Sequence, residues 1–418
     1  HLERLRCCLR KRFDLMPLAD NVAAGFLRVA EEINTRAPQP PLRTLTLPYS
    51  NGGPGGSVAN DIASATAGSY RFVVKLPVTA NRWRIRIRNR NLAWDSRPNA
   101  TLKALIVGLH DRALTGTGAE TGSFANNAAT TIVNTDQTIP GDGSWYTSPW
   151  VDTPGDVFEK NVEYLVGIGY TFASSAAVRT SCGRAWHWTN STSATNPAIA
   201  GSGATARFIP FDWVIEYETT TRNKITLVIG DSISEGITGG PSALEPTSLH
   251  LAPFNQWAAR TNRCIVNLSI AGITLMGMAA TTSSSAFIFE RQGDLSTIPF
   301  DEVIISGGSN DIFPGGRSVA NLQTDIDTIR SKLAGYGINA PVYMATILAR
   351  GTTSNSVRLN YHDWLASRPP FVSDIIDFDG ALRGISATAI MPQYTSDSIH
   401  PSRMGCAVMA DKLATVLP

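Results

Sequence analysis

The chain has 418 residues, of which 43% are hydrophobic and 17% charged, with a formal net charge of +2. That length exceeds one ordinary core of roughly 100 to 200 residues, so two domains are expected, and the near-neutral charge excludes a general attraction to nucleic acid or to an anionic membrane. No apolar run approaches the roughly 20 residues of a membrane helix, so no membrane insertion is expected, and the five cysteines (Cys7, Cys8, Cys182, Cys264 and Cys406) lack the spacing of a disulfide framework or a zinc site.

The basic opening, HLERLRCCLRKRF, has no apolar h-region and no small-residue cleavage site, so it is not a signal peptide. We expect residues 1–15 to be a non-native or upstream extension and Met16 to be the natural start; the alternative is a basic arm that touches a partner. From Met16 to Ala37, the residues Leu18, Val22, Phe26, Val29 and Ile33 recur every three or four positions, which predicts a helix with one apolar face. A single helix of that length is marginal in water, so it should pack on the body or on copies of itself. APQPPLRT then ends it, since proline cannot continue a helix. Residues 16–41 therefore read as a helix and a Pro-rich linker.

Residues 42–220 change pattern. YRFVVKLPV, WRIRIRN, LKALIVGLH, EYLVGIGYTF and FDWVIEYE are short β-rich runs, separated by spacers of Gly, Ser, Thr, Asn and Pro. Strands at this density with no helical interruption predict an antiparallel β-sandwich of jelly-roll type. Arg82, Arg84, Arg86, Arg88 and Arg90 alternate with Trp83, Ile85 and Ile87, so a period of two places the cations on one face. That face is either a strip for an acidic polysaccharide or, the reading we favour, a solvated sheet face with partners on the next strand. SNGGPGG lacks the Lys-Ser/Thr ending and the following helix of a phosphate loop. The polar stretch Glu218 to Lys224 marks the boundary.

Residues 221–418 alternate strand and helix. Strands are expected at Ile225 to Ile229 and in RCIVNLSI, FDEVIISGG, PVYMATIL and DIIDF; helices at Ser248 to Thr261, around Leu322, Ile326, Ile329 and Leu333, at Ser354 to Leu365 and at Pro401 to Val416. Such alternation means a parallel sheet covered on both faces, with ligands beyond the carboxyl ends of the strands.

Four motifs fall on that edge. KITLVIGDSISEG ends a strand in Asp231 and Ser232; NLSIAG places Gly272 after the second strand; GGSND places Gly308, Asn310 and Asp311 after the third; DSIH brings Asp397 and His400 before the last helix. A serine hydroxyl becomes nucleophilic when a base takes its proton, and imidazole suits that exchange near neutrality. His400 is the candidate base, and Asp397, three residues earlier, can hold its other nitrogen. The Ser232 N–H, the Gly272 N–H and the Asn310 amide would supply donors for the oxyanion. His362, in LNYHDWL, reads as a surface or packing histidine, and His187, between two tryptophans, as part of an aromatic cluster.

GDS at 230–232, Gly272 in NLSIAG, GSND at 308–311 and DSIH at 397–400 resemble, in order, the four motif blocks of the SGNH hydrolases, or GDSL-type esterases. The resemblance implies a flavodoxin-like α/β/α domain and a metal-independent serine esterase that needs no cofactor. Ser232 would be the nucleophile, His400 the base and Asp397 its orienting acid; Ser232, Gly272 and Asn310 would form the oxyanion hole, while Asp231 and Asp311 tie loops to backbone donors. GDSI departs from the eponymous leucine, which leaves the chemistry untouched. A sandwich ahead of such a domain looks like the layout of carbohydrate O-acetyl esterases, and Trp145, Trp150, Trp186 and Trp188 suit either glycan contact or a β core. The expected substrate is an acylated polysaccharide or a small ester; a lipase or short-chain carboxylesterase, or a glycan-binding tail or adhesin protein with an idle hydrolase domain, is the alternative. The start at Met16 loosely resembles bacteriophage tail proteins, which suggests a homotrimer through this helix and an extracellular or virion-associated setting.

Overall fold

The computed structural model describes residues 45–49, 66–89, 98–112, 120–152, 158–173, 180–189, 191–198, 204–209, 211–219, 222–237, 252–280 and 298–418. The expected extension (1–15), the helix and linker (16–41), Arg90 and the SNGGPGG loop lie outside these residues, and so does the oligomer contact assigned to that helix. Residues Thr46–Pro418 form one compact unit.

Eleven strands come first: β1 (Leu45–Tyr49), β2 (Ala67–Val74), β3 (Arg82–Arg88), β4 (Ala100–Leu109), β5 (Thr130–Val133), β6 (Gln137–Ile139), β7 (Trp145–Thr147), β8 (Tyr164–Phe172), β9 (Thr180–Trp188), β10 (Ala204–Ile209) and β11 (Asp212–Thr219). They form a four-stranded sheet, β1-β11-β3-β7, and a seven-stranded one, β10-β9-β2-β8-β4-β5 with β6 also on β4. Phe72 of β2 meets Trp213 of β11 at a ring-centroid separation of 4.6 Å, so the two sheets touch through fully buried aromatic groups.

The two-residue period explains β3. Trp83, Ile85 and Ile87 are fully buried and pair across the ladder with Tyr217, Ile215 and Trp213 of β11. On the other face Arg84 donates to Glu216 at 2.6 Å, Arg86 to the same carboxylate at 3.1 Å, and Arg82 lies 3.2 Å from Glu218. The Trp150 ring carries the guanidinium groups of Arg82 and Arg84 at 4.3 and 4.5 Å, and the Trp145 ring those of Arg86 and Arg88 at 5.0 and 4.3 Å. The arginine strip therefore has its partners on the neighbouring strand. Trp186 is buried, and His187 stacks on Tyr70 with ring centroids 5.6 Å apart.

The structure corrects two expectations. The run of strands is interrupted by a short helix, α1 (Ser191–Thr195), which lies so close to β8 that a Cβ on Gly169 would sit 1.9 Å from the Ala194 carbonyl oxygen. Strands β1, β5, β6, β7, β9 and β10 were not foreseen; β5, β6 and β7 have three or four residues, too few to show a period.

The remaining elements are β12 (Ile225–Gly230), α2 (Ser232–Glu235), α3 (Pro253–Thr261), β13 (Cys264–Asn267), α4 (Leu275–Ala279), β14 (Glu302–Ser306), α5 (Ser309–Ile312), α6 (Val319–Gly335), β15 (Val342–Ala345), α7 (Asn355–Ala366), β16 (Val372–Ile376), α8 (Phe378–Leu382) and α9 (Arg403–Val416). The sheet is parallel with the order β13-β12-β14-β15-β16. Numbered within this region that is 2-1-3-4-5, the flavodoxin-like doubly wound order.

Successive side chains of each strand point to opposite faces. Leu227, Ile229, Val303 and Ile305 pack with Leu322, Ile326, Ile329 and Leu333 of α6 and with Tyr361 and Leu365 of α7. Val228, Ile265 and Ile304 pack with Phe254 and Trp257 of α3 and with Met409, Ala410 and Leu413 of α9. The result is three layers, with both sheet faces dry. Helix starts follow capping: Ser318 forms a capping box with Asn321, and Ser402 accepts from the Gly405 N–H at 3.3 Å, which is why the last helix begins at Arg403 and not at Pro401. The helix expected from Ser248 begins at Pro253 within the described residues, with proline in its first turn. No described helix is long and apolar enough to cross a membrane.

Trp213 is buried against both Phe72 and the β3 ladder. Trp213→Ala is expected to destabilise by about 3–5 kcal/mol, seen as a lower urea midpoint; an unchanged midpoint would mean that the contact between the sheets contributes little.

Candidate active site

Strand β12 runs into Gly230, where any side chain would collide: a Cβ would lie 2.4 Å from the Ser234 hydroxyl and 2.5 Å from the Ser306 carbonyl oxygen. Asp231 follows as the N-cap of α2, and its Oδ1 accepts the Ile233 N–H at 3.0 Å. This single turn lifts Ser232 onto the carboxyl edge of the sheet.

His400 arrives from the other direction. Within DSIH, Asp397 Oδ1 accepts the N–H groups of Ile399 at 2.8 Å and His400 at 2.7 Å, a side-chain turn that Ser398 completes with a left-handed φ of 64°. The second oxygen, Oδ2, lies 2.7 Å from His400 Nδ1, and His400 Nε2 lies 3.0 Å from Ser232 Oγ. With the proton on Nδ1 facing the carboxylate, Nε2 is left as an acceptor toward the hydroxyl. Burial alone would raise the Asp397 carboxyl; the hydrogen bonds from the His400 ring and from the His400 and Ile399 amides outweigh it and hold the carboxyl below its ordinary range. The carboxylate therefore stays ionised beside the imidazole.

Gly272 and Asn310 complete the edge. Gly272 sits exposed with φ of +78°, and a Cβ there would meet nothing within 4 Å, so backbone conformation and not space calls for glycine. Asn310, on α5, donates one Nδ2 hydrogen to the Ile273 carbonyl at 3.0 Å. Its amide is thus fixed to the loop that carries Gly272, and a second Nδ2 hydrogen remains for a ligand. Gly308 is the N-cap of α5 at φ of +109°, a position where a Cβ would also press on Ile347 at 2.8 Å.

The supporting acids each grip backbone. Asp311 is fully buried and accepts from the Leu275 N–H at 2.7 Å and the Met276 N–H at 3.3 Å, with Arg317 3.6 Å away. Burial pushes the Asp231 carboxyl up to about 7; the Ile233 amide works against that rise, the Asp311 charge adds to it, and Arg350 opposes it. Burial likewise raises the Asp311 carboxyl.

Two residues of this edge were not singled out from sequence. Glu235, fully buried at the end of α2, accepts the Ala271 N–H. The one available signal was a second carboxylate one helical turn after Asp231. Arg350 reaches the Ser309 hydroxyl at 3.4 Å. His362 is a packing residue: its Nε2 accepts from the Ile347 N–H at 3.0 Å, and burial lowers its pKa. The tryptophans Trp145, Trp150, Trp186 and Trp188 lie in or beside the antiparallel sheets, not among these groups. No group of three or more His, Cys, Asp or Glu side chains among the described residues is placed to hold a metal ion.

No family model matches this chain, and no curated protein does. Among solved structures, it is similar to a family two carbohydrate esterase from Clostridium thermocellum in complex with cellohexaose, at 12% identity and a TM-score of 0.40 over 89% of this chain and 98% of that one. It is similar to a family two carbohydrate esterase from Cellvibrio japonicus at 15% identity and a TM-score of 0.39, over 90% and 97% of the two chains. A member of the lipolytic protein G-D-S-L family from Veillonella parvula matches at 16% identity and a TM-score of 0.34, covering 46% of this chain and 98% of that one.

A folded-state carboxyl near 7 holds its proton more tightly than an unfolded Asp near about 3.9. Asp231 therefore subtracts stability as pH rises from about 4 to about 7, with the full cost present above that range. Asp231→Asn keeps an oxygen acceptor for Ile233, so its thermal midpoint should exceed the parent's at pH 8, with the gap shrinking toward pH 4. A gap that does not vary with pH would contradict this account.

Proposed function

We propose that this chain is a serine ester hydrolase of the SGNH type, with Ser232, His400 and Asp397 as its catalytic residues. The observation that carries the reading is the imidazole of His400 held between the two others, 2.7 Å from the carboxylate and 3.0 Å from the hydroxyl. The four motif blocks, met in order along the sequence, supply the same residues.

In this reading, His400 Nε2 takes the Ser232 proton as Oγ attacks the ester carbonyl carbon, and Asp397 stabilises the imidazolium that forms. The carbonyl oxygen becomes an oxyanion that accepts from the Ser232 N–H, the Gly272 N–H and the free Nδ2 hydrogen of Asn310. His400 returns the proton to the departing alcohol, leaving an acyl group on Ser232. Water, deprotonated by the same imidazole, then releases the acid and restores the hydroxyl. The carboxylate that orients the ring remains a carboxylate throughout, in keeping with its lowered pKa.

The substrate we favour is an O-acetylated polysaccharide, with residues 42–220 acting as an accessory β-sandwich beside the hydrolase region 221–418. A polymer needs a surface wider than one acyl pocket, and two antiparallel sheets precede the catalytic region in the chain. Because Glu216 and Glu218 meet the arginine strip, that face does not specify an acidic polymer. A setting on a phage tail or another extracellular surface, with the helix expected from the sequence of residues 16–37 joining copies of the chain, is part of this reading.

Ser232→Ala is expected to abolish turnover of 4-nitrophenyl acetate, and Asn310→Ala to lower kcat by roughly 100- to 1000-fold. Turnover that survives Ser232→Ala would remove the assigned nucleophile. A series of 4-nitrophenyl esters from acetate to palmitate, run beside acetate release from acetylated polysaccharides, should favour acetate; preference for palmitate would point instead to a lipase.

A further inference from the structure

We propose that Glu235 is a positioning residue: by accepting the Ala271 N–H, its buried carboxyl ties the turn that carries the Gly272 N–H to the helix that presents Ser232. The proposal rests on the esterase reading and concerns how one of its donors is held in place.

The loop after β13 makes a tight turn at Ile270, Ala271, Gly272 and Ile273, closed by the Ile273 N–H to the Ile270 carbonyl at 3.2 Å. Gly272 is the third residue of that turn, and its φ of +78° is the value of a type II turn. Types I and II differ mainly by a flip of the central peptide, here the one joining Ala271 to Gly272. That peptide carries the Gly272 N–H. The choice of turn type therefore decides whether this donor faces the reaction edge or turns away from it. Glycine permits both forms, since it adopts either sign of φ; the Ala271 N–H belongs to the preceding peptide and keeps its direction in both, so what Glu235 fixes is the place of the turn and not its type.

The neighbouring peptides are gripped. The Ile270 N–H donates to the Gly230 carbonyl at 3.0 Å, and the Ile273 carbonyl accepts from Asn310 at 3.0 Å. Between them, the Ala271 N–H donates to Glu235 Oε2. Glu235 is fully buried and ends the one-turn helix that begins with Ser232. The Asn267 amide adds a second tie, donating to the Ser234 carbonyl at 2.9 Å. Nucleophile and oxyanion loop are thus joined by a side chain that stands on the helix presenting the nucleophile. The Gly272 N–H itself has no partner among the described residues and stays available to a ligand.

The test compares two variants with 4-nitrophenyl acetate. Glu235→Gln keeps an acceptor oxygen at the same reach. Glu235→Asp keeps a carboxyl group but withdraws the oxygen by about 1.5 Å, one C–C bond. We expect Glu235→Asp to lower kcat by about 10- to 100-fold, less than removal of a donor outright, with KM within about twofold; Glu235→Gln should stay within about fivefold of the parent in kcat. The overturning results are a folded Glu235→Asp with parental kcat, or a folded Glu235→Gln that loses as much as Glu235→Asp. Amide exchange at Ala271 in Glu235→Gln decides independently should Glu235→Asp fail to fold: retained protection with retained kcat supports the proposal, and lost protection with retained kcat overturns it. Ser232→Ala is measured alongside. If it remains active, the esterase reading has failed; if it is inactive while both Glu235 variants match the parent, only the role of Glu235 has.

Discussion

The arrangement at the sheet edge depends on one carboxylate used twice. Asp397 applies Oδ1 to the backbone of the turn that follows it and Oδ2 to the imidazole at the end of that turn. The first set of bonds shapes the segment so that His400 is presented; the second orients its ring and selects the tautomer that faces Ser232. A left-handed Ser398 is the conformational strain of so short a path between acid and base. Because both jobs belong to one side chain three residues away, the geometry of acid and base is local, and only its meeting with the serine requires the fold.

Beneath that edge lies a second set of acids with a different task. Asp231, Glu235 and Asp311 are buried, and each accepts backbone N–H groups: of Ile233, of Ala271, and of Leu275 and Met276. Loops at the end of a parallel sheet have few ladder bonds of their own, and their polar groups must be satisfied when buried. Asp231 does so within the exit of its own strand, while Glu235 and Asp311 join one strand exit to the next. The raised pKa values of Asp231 and Asp311 record the desolvation that this arrangement entails.

The antiparallel region shows the same double use in another form. On β3 one face supplies Trp83, Ile85 and Ile87 to the core, while the other lays arginines over Trp145 and Trp150 and against Glu216. A cation held over an indole face and paired with a carboxylate is ordered, and its aliphatic stem covers apolar surface. What reads as a row of free positive charge is in the structure a cross-strand network.

Much of this was legible in the residues. The strand and helix alternation after residue 224 predicted a parallel sheet, because two periods, 2.0 and 3.6, leave distinct apolar patterns over segments of useful length. The short strands β5, β6 and β7 and the helix α1 carried too few residues to show either period, and their positions follow from neighbours such as Gly169, whose missing side chain lets α1 approach. The motifs named Ser232, Gly272, Asn310, Asp397 and His400, since hydroxyl, amide, carboxylate and imidazole announce their chemistry by type. Sequence also determined the acid–base pairing of Asp397 with His400, three positions apart. Tertiary structure alone decided that Nε2 would come within 3.0 Å of a hydroxyl 168 positions away, that Glu235 would hold the Ala271 amide, and that the arginines would find Glu216. The physical reason is reach: a turn or a ladder period is written in neighbouring residues, whereas a contact between strand exits depends on strand order and register, which no short stretch of chain contains.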